Sequence, residues 1–133
     1  MEPRISIITL GVQDLDRSVR FYRDGLGLPL MEGYEGQIAF FDLDGTRLAL
    51  YARDFLAADA NQLPEGEGFR GFTIAHNVRS REEVDRLISK ASSAGAQVVK
   101  EPQDTEWGGY SGYFKDLDGF LWEIAWNPYF KLE

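Results

Sequence analysis

Residues 40–51 read FFDLDGTRLALY, and residues 113–126 read YFKDLDGFLWEIAW. Each opens on aromatic residues, passes through Asp-Leu-Asp-Gly and runs into a short alternating apolar segment. An Asp-Gly pair between two such segments is a strong tight-turn signal, because glycine takes the positive φ the turn demands. The chain therefore writes one hairpin twice. Superposing the turns pairs Thr46 with Phe120, Leu48 with Trp122, Ala49 with Glu123 and Leu50 with Ile124.

What precedes each hairpin is also repeated. ISIITLGV (residues 5–12) is β-branched and apolar and predicts a buried strand. Asp14 is an N-cap for a helix carrying Val19, Tyr22 and Leu26 at helical spacing, stopped by Gly25 and Gly27. In the second half GFTIAHNV (71–78) predicts the strand, and Ser80 with Glu83 has capping-box spacing. Val84, Leu87, Ile88 and Ala91 form one apolar stripe that ends at Gly95, and AQVVKEP (96–102) predicts a further strand. Superposing the opening strands pairs Ile7 with Thr73.

The expected fold class is α+β: two tandem βαβββ modules in a single domain over 1–133, curling around a shared cleft. Module one spans about 4–52, a connector with the loop-like LPEGEG about 53–70, and module two about 71–128. Neither half can bury its apolar face alone, and the cleft is where a small molecule belongs.

A chain of 133 residues is long enough for one real core, and 44% hydrophobic with 27% charged residues is ordinary globular composition. The formal charge of −8, with no basic patch, argues against nucleic acid and anionic membrane as partners. Cysteine is absent, which excludes disulfides and thiolate chemistry and fits a cytoplasmic setting. The N-terminus carries no basic-then-apolar signal segment, and no run nears the ~20 apolar residues of a membrane span.

The segments ITLGVQDLDRSVRFYRDGLGL, GFTIAHNV and GYFKDLDGFLWEIAWNP, with their spacing, resemble the vicinal oxygen chelate superfamily of glyoxalases, bleomycin-resistance proteins and extradiol dioxygenases. That resemblance covers essentially the whole chain. Metal-dependent members draw His and Glu ligands from four strand positions, which fall here at Ile7, Ala49, Thr73 and Glu123. Only Glu123 retains a ligand, so no metal and no other cofactor is expected. His76 lies three residues after Thr73, at the opposite parity of its strand, and is expected to face the helices.

Strand parity puts Leu121, Glu123 and Ala125 on one face and the larger set Phe120, Trp122, Ile124 and Trp126 on the other. Glu123 then faces the cleft, either as a general base or as a carboxylate held by Thr73 or an arginine such as Arg47. Arg47 shares parity with Ala49 and Tyr51 and is either a cleft residue or a solvated arginine beside the turn. EWGGYSGYF supplies Trp107, Tyr110 and Tyr113 among small residues, the composition of an aromatic wall or lid, or of an ordinary aromatic loop. The expected ligand-binding set is therefore Ile7, Arg47, Ala49, Tyr51, Thr73, Trp107, Tyr110, Tyr113, Leu121 and Glu123.

These residues and the resemblance imply a metal-free protein, expected as a homodimer, that encloses an aromatic or amphipathic small molecule. The acidic charge favours a cationic ligand. The competing expectation is an enzyme: a lyase, isomerase or dioxygenase with unusual metal ligands, or one using Glu123 as a lone base. A dimeric structural module with a vestigial site is the third.

Overall fold

A computed structural model describes residues 1–32, 34 and 36–129. The chain divides into two compact units, Met1–Gly68 and Phe69–Glu133.

In the first unit, β1 (Ile7–Val12) leads to α1 (Leu15–Arg20), which continues as a π-helical turn over Phe21–Gly25. Asp14 caps α1 by accepting from the Arg17 N–H at 3.0 Å, satisfying a donor the helix cannot. β2 (Ile38–Asp42) and β3 (Arg47–Ala52) follow, and the sheet order is β1-β3-β2, with β1 parallel to β3. The fourth strand is reduced to a bridge between Leu30 and Phe41. The Met31 N–H reaches Phe40 O at 2.9 Å and the Asp42 N–H reaches Pro29 O at 3.1 Å. Pro29 has no N–H to return, which shortens the pairing.

The connector, read as loop-like, opens with a helix, α2 (Arg53–Asp59). It crosses the end of β1: a Cβ on Gly11 would stand 3.3 Å from Arg53 Cα and from Leu56 Cδ2. A residue without a side chain lets the helix lie this close without any neighbour giving way.

The second unit contains β4 (Ile74–Val78), α3 (Arg81–Ser93), β5 (Gln97–Asp104), β6 (Tyr110–Lys115) and β7 (Leu121–Trp126). Its sheet order is β4-β7-β6-β5, with β4 parallel to β7 and the other pairs antiparallel. Ser80 caps α3 by accepting from the Glu83 N–H at 3.2 Å. The returning Glu83 carboxylate accepts from the Arg79 N–H at 3.3 Å, one residue before the partner a capping box would use. Val84, Ile88 and Ala91 are buried, and Phe114 and Trp122 stack beneath the helix with centroids 6.3 Å apart.

The parallel pairs repeat. Thr9 lies opposite Ala49 as Ala75 lies opposite Glu123, which reproduces the alignment of the two modules. The hairpins do not. In module one Asp42 pairs with Arg47 across the turn, and the Leu43 N–H bonds Thr46 O at 3.0 Å. In module two Lys115, not Asp116, pairs with Leu121, so that turn is one residue longer.

The extra residue is Asp116. It is buried, its carboxylate accepts from the N–H of Asp118 at 2.9 Å and of Phe120 at 2.8 Å, and its own N–H donates to Phe120 O at 2.9 Å. A slip of one residue turns every side chain of a strand over. Phe40 thus shares a face with Ala49, whereas its sequence counterpart Phe114 points to the helix and Tyr113 takes the place beside Glu123.

Candidate functional site

On the second sheet, the face away from α3 carries a row built by direct pairing: Lys100 opposite Tyr113, Tyr113 opposite Glu123, and Glu123 opposite Ala75. Adjacent rows run Gln103–Ser111–Ala125–Asn77 and Gln97–Lys115–Leu121. Directly opposed side chains sit within about 5 Å at Cβ, so cation, phenol and carboxylate are neighbours. The Tyr113 phenol and the Glu123 carboxylate lie side by side across the β6–β7 pair. Burial first, then the negative charge of Glu123 beside it, push the phenol above the ordinary tyrosine range, so it keeps its proton and remains a donor. Among the described residues neither Lys100 nor Lys115 is in an ion pair.

The aromatic segment is split. Tyr110, three residues before Tyr113, lies on the helix side: its hydroxyl donates to Asp85 at 2.6 Å. The Arg81 guanidinium lies 4.5 Å from the Tyr110 ring centroid and 5.9 Å from that of Trp126. The bond to Asp85, burial and the Asp85 charge raise the Tyr110 phenol also. Tyr110 and Tyr113 therefore do not share a wall.

Trp107 sits in a tight turn, not a long lid. Thr105 and Gly109 close it through N–H to O at 3.1 Å, and Thr105 Oγ1 accepts from the Gly109 N–H at 3.0 Å. The indole lies over Gly109 so closely that a Cβ there would stand 1.9 Å from its Cζ3.

The module-one candidates share one face of their sheet. Ile7 pairs with Arg47 and Gly11 with Tyr51, while Ala49 lies between Thr9 and Phe40. Ile7 and Arg47 are exposed, Tyr51 is half-buried, and Ala49 is wholly buried. Arg47 has no ion pair among the described residues. Thr73 is exposed, one residue before β4. His76 is exposed on that edge strand, opposite Ile124 of the helix-side row.

The donor set does not suit a divalent metal. Ile7 and Ala49 offer no lone pair, the Thr73 hydroxyl is a poor ligand, and Glu123 is the one carboxylate among the four positions. Among the described residues no group of three or more His, Cys, Asp or Glu side chains could hold an ion.

Sequence reasoning missed Lys100, Lys115 and Ser111 as companions of Glu123. Lys100 escapes a parity count because β5 is irregular between Val98 and Lys100 and again before Gln103. Gly112 marks the place: a Cβ there would stand 3.0 Å from Lys100 O and Pro102 N. Isolated glycine in a strand signals such an approach.

Residues 4–124 match the pattern of the Glyoxalase/Bleomycin resistance protein/Dioxygenase superfamily. An uncharacterised protein of Bacillus subtilis, YraH, is 33% identical over 123 residues, covering 88% of this chain and 93% of its own length. The fosfomycin resistance protein FosX of Listeria monocytogenes is 31% identical over 123 residues, covering 90% of this chain and 86% of its own. Among solved structures, a glyoxalase-related enzyme from Fulvimarina pelagi superposes with a TM-score of 0.91 at 33% identity, over 98% of this chain and 93% of that one.

Proposed function

Because the chain belongs to the Glyoxalase/Bleomycin resistance protein/Dioxygenase superfamily, we propose that it binds a small amphipathic molecule without a metal, against the Tyr113–Glu123 face of its second sheet. The observation that carries this reading is the row Lys100–Tyr113–Glu123. A lysine and a carboxylate two strands apart, about 10 Å, suit a ligand with an acid group at one end and an N–H or O–H donor at the other. Its flat or apolar body lies over the phenol ring. Lys100 and Lys115 make this face less acidic than the chain's charge of −8 implies, so whole-chain charge is a poor guide to the ligand. Leu121 and Thr73 border the same face. Ile7, Arg47 and Tyr51 are ligand candidates of the first sheet through the sequence repeat alone, Ala49 being wholly buried, and Trp107 is one through its exposed ring.

A second reading, base catalysis by Glu123, draws support from its half-buried position and the phenol paired beside it. One experiment separates the two. A panel of organic acids carrying donors, with fosfomycin included because of the Listeria relative, is screened by thermal shift and calorimetry in metal-free buffer. Glu123→Gln should weaken a bound ligand about tenfold, the loss of one charge-assisted hydrogen bond of about 1.5 kcal/mol. Turnover of a ligand that Glu123→Gln abolishes, with binding retained, selects the base. Stoichiometric, tight uptake of Mn, Fe, Ni or Zn would sink the metal-free reading.

The same proposal sets the protein in the cytoplasm as a homodimer. No helix among the described residues is long and apolar enough to cross a membrane. Sedimentation at working concentration should give about twice the chain mass of 15.1 kDa; monomer alone refutes the dimer.

A further inference from the structure

The first unit contains a hollow apart from the Tyr113–Glu123 face. About 570 Å³ in volume, it is lined by Val12 and Gln13 at the end of β1, Ala52 at the end of β3, Arg53, Asp54 and Phe55 of α2, and Pro64 with Glu65. That volume is within the range of small-molecule sites.

Its chemistry is asymmetric. Arg53 is partly buried, and its Nε–H donates to Pro64 O at 2.7 Å, which fixes the guanidinium by its inner edge. It is in no ion pair among the described residues, although Asp54 and Glu65 line the same hollow. Gly66, at φ +151°, presents no side chain to it: even a built Cβ would stand 3.9 Å from Nη2. A guanidinium held by one nitrogen keeps its outer donors for a carboxylate, which it grips in a two-point fork. Phe55 is 53% exposed and supplies a flat apolar wall.

One cation, two carboxylates and an aromatic wall in one hollow are the complement of one anion, one cation and an apolar side chain. We propose that this hollow binds a free α-amino acid with an aromatic side chain. The carboxylate meets Arg53, the ammonium meets Asp54 or Glu65, and the ring lies on Phe55. A simple acid lacks a partner for the two carboxylates, and a simple amine leaves the arginine unmatched.

The probe is L-phenylalanine, titrated into the full chain by calorimetry and by amide chemical shifts. Expected are saturable binding and shifts confined to residues 12–13 and 52–66, with benzoate and phenethylamine each at least tenfold weaker. Arg53→Met should remove binding, and Glu65→Gln, on an exposed loop, should weaken it severalfold without unfolding risk. Glu123→Gln should leave it unchanged, so failure of the sheet-face proposal does not touch this one. No saturable binding, shifts elsewhere, equal binding of benzoate, or full affinity in Glu65→Gln together with a folded Arg53→Met would each overturn the assignment.

Discussion

Glu123 occupies a position where the two modules differ sharply in chemistry, since its counterpart is Ala49. Parity alone gave its face correctly, because β7 is regular and its helix-side residues are large. The tyrosine beside it could not be read the same way. Aligning the Asp-Leu-Asp-Gly turns places Tyr113 with Ala39, a residue wholly buried beside Phe41, and so on the wrong face. Tyr113 also leaves a trace in pH. Its phenol is raised above the ordinary value of about 10, so the stabilisation it gives is complete below that value. Above it the unfolded chain releases its proton first, and stability falls until the folded phenol titrates too. Urea denaturation between pH 8 and 11 should fall more steeply for the native chain than for Tyr113→Phe. Equal slopes would mean the phenol gains nothing from Glu123.

At the scale of elements, the strands, the two tight hairpin turns and the capped helices follow from local pattern. α1 and α3 announce themselves through Asp14 and Ser80, and the buried stripe of α3 recurs at i, i+4 and i+7. Two elements do not. α2 lacks a side-chain cap and buries no residue fully, so nothing in RDFLAAD separates it from a loop, and the clue lies at Gly11. The β5–β6 connection reads as a lid because aromatic residues stand among glycines, yet Gly109 makes room for Trp107. Gly109→Ala should therefore destabilise by about 1–3 kcal/mol, since the new methyl would meet Trp126 O at 2.5 Å as well as the indole. Shifted tryptophan emission and a lower urea midpoint are the measurements; an unchanged midpoint would falsify the packing role of Gly109.

For the whole molecule, the duplication was the legible part, because it depends on spacing summed over many residues and not on any one of them. The superfamily match over residues 4–124 and the TM-score of 0.91 agree with it. The chemistry of the face was less legible, because it depends on a single residue of turn length and on the irregularities of β5. That turn also concerns time. A hairpin whose loop is closed by its own carboxylate needs no distant contact to hold it, and local loop closure is the cheapest early event in folding. The β6–β7 hairpin is thus equipped to form ahead of β2–β3, whose Asp42 is exposed and makes no such bond. Asp116→Ala strands a buried N–H at Phe120, a loss of about 1–3 kcal/mol that stopped-flow should find chiefly in the refolding rate, while Asp42→Ala leaves both rates alone. The two copies of one motif would then differ in the order in which they fold: the second leads, and the first follows.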